Sequence, residues 1–225
     1  MPGNGTLTRA GLKTPKAAAI AGIAFSLLIF TILGLLRRSI PDDPLEHGAW
    51  LASDTRTITV ALNLVPFSGV AFLWFIGVLR DRLGNLEDRF FATVFFGSAL
   101  LFLAMLFTSA AIIGAIMLVA SVSEPSELIS STTFRFARAS SYIIMNVYAI
   151  KMAAVFMIST STVVIRTGIV PRWIALLGFL LALVLLIGSS FISWSFAVLP
   201  VWVLLISVYI LIDNLQIPGA DRALD

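Results

Sequence analysis

The sequence predicts an all-α, polytopic transmembrane helix bundle with six spans. Three observations carry that prediction. Of the 225 residues, 59% are hydrophobic and only 12% are charged, whereas an ordinary soluble domain is roughly half apolar and a quarter charged. One core of this size cannot bury that excess, and a mean hydropathy of +1.02 excludes disorder as well. The apolar residues also gather into runs of about 17–25 residues, the length that crosses a hydrocarbon core of ~30 Å. Finally, every charged side chain except Lys151 falls between those runs. Cysteine is absent, which removes a disulfide scaffold, a zinc ribbon and a thiol enzyme.

The first span is residues 17–36. Arg9, Lys13 and Lys16 precede it, as in a signal peptide. The run is too long for one, however, and Arg37-Arg38 follow it instead of a small-residue cleavage site, so an uncleaved helix is expected. The second span is residues 58–79. It contains Pro66, which frees the carbonyl of Leu62; the kink either lines a cavity beside Asn63 or serves packing. The third, residues 91–119, is long enough to tilt or to project past the membrane. The fourth is residues 141–165. The fifth and sixth, 173–189 and 196–212, are short and joined by SFISWS, which predicts a helical hairpin. Helices are expected throughout because an open sheet cannot satisfy its backbone in lipid. No linker or composition shift divides the chain, so residues 1–225 form one membrane domain.

Two loops carry helix-start signals. Asp43, Pro44 and Glu46 form a start resembling a capping box, and Ser123 precedes Glu124 and Pro125. A short helix is expected in each. The cluster Asp42, Asp43, Glu46 and His47 offers one histidine and flexible carboxylates, which suits a solvated loop far better than a metal site. No metal ligand set and no cofactor are predicted.

Six spans put both termini on one side, and the basic residues say which. Arg9, Lys13, Lys16, Arg80, Arg82, Arg89, Arg166, Arg172 and Arg222 lie on the side of the termini. Arg37, Arg38, Arg56, Arg135 and Arg138 lie opposite. The positive-inside rule then places both termini in the cytoplasm, with Arg37 and Arg38 against the trend. These charges are spread over many loops, and nothing in them calls for a nucleic acid. Trp74, Trp173, Tyr209, Tyr142 and Trp194 fall near span ends, where such rings prefer the headgroup level. Trp202 lies mid-span, and packing against a neighbouring helix is expected.

Lys151 is the residue that could carry chemistry. It sits about ten residues into the fourth span, roughly 15 Å deep at the rise of a helix. An ionisable group there is a candidate functional residue by default. At the helical angle, Ser140, Tyr148, Ser159, Thr162 and Arg166 fall within about 80° of it, making a polar stripe that must face protein or water. Lys151, Tyr148, Ser159, Thr162 and Asn63 are therefore the candidates for a ligand site or polar cavity. Three roles fit Lys151: binding an anionic or carbonyl ligand or moving a proton, joining helices through Asn63 or freed backbone, or reaching an aqueous cavity. No serine carries a nucleophile motif and no span holds a carboxylate or histidine. No catalytic residue is assigned, an enzyme is disfavoured, and proton-coupled transport through an acidic relay is disfavoured too.

The loop GVLRDRLGNLEDR, residues 77–89, resembles the cytoplasmic loop motif of major facilitator transporters. Gly77, Leu79, Asp81, Arg82, Gly84 and Arg89 match, and so does the position between the second and third helices. In that family the motif clamps helix ends and gates rocking. Asn85, Leu86, Glu87 and Asp88 depart from it where basic residues are expected, and six spans fall short of the family's twelve. A charged helix–turn–helix loop accounts for the same dozen residues and is the preferred reading. The wider chain, especially SYIIMNVYAIKMAAVFMISTSTVVIRTGIVPRW, resembles bacterial multi-pass integral membrane proteins of unknown function. That resemblance implies a compact bundle in a prokaryotic plasma membrane and no particular activity. The function expected is non-enzymatic binding of a lipid, a small ligand or a partner protein around the polar stripe. A small oligomeric transporter is the alternative.

Overall fold

The computed structural model describes residues 14–41, 43, 48, 50–83, 89–168, 170–188 and 194–216, and every element among them is helical. The long helices are α1 (Thr14–Ser39), α3 (Thr55–Leu83), α4 (Arg89–Ala120), α7 (Ile150–Thr167), α8 (Arg172–Gly188) and α9 (Ser195–Gln216). Shorter α2 (Trp50–Ser53), α5 (Pro125–Ser130) and α6 (Thr132–Ile143) lie between them. A π-helical segment, Ile144–Ala149, joins α6 to α7 without a break. This makes one long fourth helix that starts at Thr132, well before the expected residue 141. Ser131 caps its start, accepting a hydrogen bond from the Phe134 amide at 3.1 Å. Its end is set by Gly168, whose φ of 67° is left-handed and stops the helix.

Among the described residues, five stretches are long and apolar enough to cross a membrane: Ala17–Ser39, Thr55–Arg80, Thr93–Ala120, Thr132–Arg166 and Ser195–Asp213. This is the pattern of a multi-pass membrane protein. Helix α8 is apolar but has only 17 residues, roughly 25 Å at the rise of a helix. The structure thus holds five helices of spanning length and one shorter helix, where the sequence predicted six spans. Pro66 lies inside α3, which continues through it. The expected loop helix after Ser123 is α5, with Pro125 at its first turn. Residues 42 and 44–47, which carry most of the other helix-start signal and His47, lie outside the described residues.

Neighbouring helices run antiparallel. Phe25 on α1 stacks against Phe72 on α3 with centroids 4.5 Å apart. Ser26 on α1 donates to the Pro200 carbonyl on α9 at 2.9 Å. Phe95 on α4 meets Phe156 on α7 at 5.2 Å. The start of α1 and the end of α9 therefore share one end of the bundle, here the terminal end. Arg80 of α3, over the Phe96 ring at 5.5 Å, marks the same end. The opposite, or cap, end carries α2, α5 and α6.

Apolar burial drives helix association weakly in lipid, so close packing matters more. Small residues provide it. A Cβ at Gly22 would strike Ser207 and Phe75, one at Gly69 would strike Phe107, and one at Gly178 would strike Ser161 and Trp202. Trp202 is buried as expected, and its indole N–H donates to the Ile174 carbonyl on α8 at 3.3 Å. At the cap end a second cluster gathers Trp50, Leu51, Ile58, Ile113, Ile116, Met117 and Phe134. Gly48 seats this cap: its φ is 74°, and a side chain there would meet Phe134 and Ile129.

Candidate functional site

Between α1, α3 and α9 on one side and α4 and the fourth helix on the other lies a cavity of about 190 Å³ at the cap end. It is elongated. Along α1 its lining runs from Phe25 to Arg37 and beyond, and along α4 from Phe102 to Ile113; either stretch is roughly 16–18 Å at the rise of a helix. Its lower limit is a phenylalanine cluster. Phe72 holds Phe25, Phe102 and Phe156 around it, with centroids 4.5, 5.5 and 5.2 Å away. Ile29, Ile32, Leu33, Val65 and Leu106 form much of the wall.

The polar lining is concentrated on the fourth helix, with Arg37 of α1 and Ser109 of α4 beside it. Ser109 of α4 and Ser141 of α6 form a reciprocal clamp. Their hydroxyls are 2.8 Å apart, and each reaches the other's backbone carbonyl, at 3.0 and 3.1 Å. Just beyond Ser141 the helix widens into the π segment, where the Ile144 amide addresses both the Ser140 and Ser141 carbonyls. Such single-turn widenings occur often at functional sites. Here the widening carries Met145 and Asn146 into the lining, and the Asn146 amide group donates to the Tyr142 carbonyl at 3.0 Å.

Two guanidinium groups also line the cavity. Arg138 is 5% exposed. It donates through Nη2 to the Pro41 carbonyl at 2.7 Å and lies 5.3 Å from the centroid of the Trp50 ring. Arg37, in the last turn of α1, lies 4.5 Å from the Trp194 ring just before α9. Cation–π contact and the C-terminal end of the α1 dipole both favour a cation at that place.

The residues expected from the sequence are placed elsewhere, and none of the five candidates lines this cavity. Lys151 is half-buried and donates to the Leu186 carbonyl at 2.8 Å. That carbonyl belongs to the last turn of α8, where helix carbonyls have no partner within the helix. Tyr148 is 54% exposed. Ser159 and Thr162 return their hydroxyls to carbonyls of their own helix, those of Val155 and Ile158, at 3.0 and 2.9 Å. Asn63 is exposed on α3. Along the stripe, then, Lys151 meets α8, Tyr148 is exposed, and Ser159 and Thr162 bond within their own helix. In the loop motif, Gly77 is exposed on α3. Gly84 and the side chains of Asp81, Arg82 and Arg89 lie outside the described residues.

The cavity residues missed from the sequence are Arg37, Arg138, Ser109, Ser141 and Asn146. One signal bore on Arg37 alone, which with Arg38 departs from the expected charge bias; Arg138 reads as an ordinary loop charge. Ser109 and Ser141 carried no signal, because isolated serines are common in membrane helices and only packing brings these two together.

Comparison with protein-family models, curated proteins and solved structures finds no match for this chain.

Proposed function

We infer that the protein is a non-enzymatic, six-span membrane protein that holds a lipid or another amphipathic small molecule in the cap-end cavity. The observation that carries this reading is the build of that cavity: an elongated apolar slot floored by phenylalanines, with polar groups gathered toward one end. Its size constrains the ligand. An engineered apolar cavity of about 150 Å³ takes up benzene, and sites that enclose a whole drug-sized molecule are roughly 300–1,000 Å³. A volume of about 190 Å³ suits one chain or one ring, with the rest of the molecule outside. The phenylalanine cluster beneath it favours holding a ligand over passing one through.

The sixth crossing in this reading is α8. Lys151 supports it by meeting the Leu186 carbonyl, so that a short helix can end without bare acceptors. The plasma membrane of a prokaryote and cytoplasmic termini follow from the resemblance and the charge bias. A reporter fused to residue 225 checks the orientation: cytoplasmic signal is expected, and periplasmic signal overturns it.

Ligand occupancy is tested with a photoreactive dodecyl chain on the protein in phosphatidylcholine nanodiscs. Adducts mapped by mass spectrometry are expected on Leu106 and Met145 inside the slot, and Ala110→Phe, which fills it, is expected to abolish them. Adducts confined to exposed positions such as Leu100 and Leu180 would overturn the reading.

A further inference from the structure

We propose that the slot takes its chain sideways from the membrane, through a portal between α1 and the fourth helix that opens to the cap-side leaflet. The proposal rests on the cavity being a ligand site and adds where the ligand comes from. The occupant is one acyl chain of a lipid in that leaflet, with its head group left at the membrane surface.

The portal follows from helix lengths. On one flank α3 and α4 join α1 to the fourth helix; on the other, α9 and α8 do. Ser26 of α1 is level with Pro200 of α9, to whose carbonyl it donates at 2.9 Å. Above that level roughly 8 Å of α9 remain, up to Ser195, against roughly 20 Å of α1, up to Ser39. Lys151 of the fourth helix reaches Leu186 in the last turn of α8. The fourth helix continues from there to Thr132, roughly 28 Å further. Among the described residues, no helix therefore stands between α1 and the fourth helix over the upper half of the slot on this flank.

Exposure marks the same place. Leu33 and Leu36 of α1 and Tyr142, Met145 and Asn146 of the fourth helix line the slot above the ends of α8 and α9, and each is partly exposed. The far wall, formed by Val65, Phe102, Leu106, Ser109 and Ile113, is buried. Leu33, Leu36, Met145 and Asn146 belong to stretches apolar enough to cross a membrane, so the opening faces hydrocarbon. Above it the slot is bridged: Arg138 of the fourth helix donates to the carbonyl of Pro41, just after α1, and both residues line the cavity. The opening is thus lateral. A chain arriving from water would hydrate its methylenes on the way, at a cost for each one. A chain arriving from the leaflet stays in apolar surroundings throughout.

The test uses the full-length protein in phosphatidylcholine vesicles, at most one molecule in each, sorted by whether a tag after residue 225 can be captured from outside. Phosphatidylcholine with a photoreactive group at the end of one chain is exchanged into the outer leaflet alone. Where the tag is hidden, the cap end faces outward, and adducts are expected on Leu106 and Met145. Where the tag is captured, those adducts are expected to be lost, while exposed Leu100 and Leu180 are still labelled. Slot adducts of equal yield from either leaflet, or from the terminal-side leaflet only, overturn the portal and leave the slot a ligand site. Slot adducts from neither leaflet, with Leu100 and Leu180 labelled, overturn the ligand site as well.

A second arm locates the opening. The chain has no cysteine, so Leu33→Cys carries the only thiol. A bulky methanethiosulfonate adduct on it is expected to abolish labelling of Leu106 in cap-outward vesicles. Dithiothreitol, which removes the adduct, is expected to restore the labelling and so to show that the variant is folded. Unchanged labelling with the thiol fully modified overturns the portal. The leaflet comparison is made on the unsubstituted protein, so the proposal stays falsifiable if Leu33→Cys does not fold.

Discussion

Two corners of the bundle hold cations against apolar surroundings, and they differ in what the cation faces. At the junction of α7 and α8, the ammonium of Lys151 points at one backbone carbonyl, Leu186, 2.8 Å away. At the cap end, Arg37 and Arg138 lie over tryptophan rings and line an elongated cavity. A compact point charge suits a single acceptor at a helix end; planar guanidinium forks suit stacking on one face and hydrogen bonding at the edge. The depth of a charge in a span therefore says little about its use. The structure around it decides: Lys151 meets a helix terminus, whereas Arg37 and Arg138 meet tryptophan rings and border a cavity.

The largest expected effect comes from prying α8 off α7. Gly178→Val would drive its Cβ into Ser161 and Trp202, at the upper end of overpacking costs, about 3 kcal/mol. Reversible unfolding in mixed micelles is expected to show that loss. Dodecyl photolabelling of Leu106 in the surviving folded fraction is expected to persist, because no residue of α7 or α8 lines the slot. Loss of labelling in folded protein would merge the two corners into one unit.

Next is Lys151→Met. It leaves the partly buried Leu186 carbonyl without its donor at the end of α8, a cost of about 1 kcal/mol, the low end for an acceptor left unmet. Lys151→Arg, which keeps a donor, is expected to recover part of it. Ligand binding in the slot is expected to be unchanged. A variant with reduced binding and unaltered unfolding would reverse the roles assigned to the two corners.

The reason the sequence led first to Lys151 is physical. Periodicity gives the face of one helix, and Lys151, Tyr148, Ser159 and Thr162 do share a face. What it cannot give is the partner helix opposite each turn. The π segment at Ile144–Ala149 widens one turn and so shifts the register that an ideal wheel carries across it; Tyr148 lies within it. Ser159 and Thr162 satisfy themselves against their own helix, which no spacing rule distinguishes from facing a cavity. Five spans were legible, because hydropathy alone selects them, although α9, expected to be short, runs to 22 residues. The short length of α8 was legible too, as was the burial of Trp202. The early start of the fourth helix at Thr132 was not, because Arg135 and Arg138 look like loop residues until Arg138 is seen packed between Pro41 and Trp50.

A comparable effect sharpens the cap-end corner. Ser141→Ala removes one hydroxyl of the clamp between α4 and α6 but leaves Ser109 free to donate to the Ser141 carbonyl. The cost is about 1 kcal/mol, that of one hydrogen bond. Because the clamp sits in the cavity wall, the same variant is expected to lower dodecyl photolabelling of Leu106 and Met145 in nanodiscs, read by mass spectrometry. A stability loss with unchanged labelling would make the clamp a packing device only.

The smallest effects belong to the stripe residues outside both corners. Tyr148→Phe removes a hydroxyl from a side chain that is 54% exposed, and Asn63→Ala removes an amide from an exposed position on α3. Changes at exposed positions away from packing or paired polar groups stay within about 0.5 kcal/mol. Neither side chain lines the cavity or reaches the end of α8, so neither stability nor dodecyl photolabelling of the slot is expected to move measurably. The pair is still informative. The helical wheel alone puts Tyr148 beside Lys151, and a π-to-α conversion at residues 144–149 would re-register that turn against α7. If Tyr148→Phe changed dodecyl photolabelling of the slot while Asn63→Ala did not, the π segment would have to rotate on ligand binding, and the wall of the slot would be a moving part instead of a fixed one.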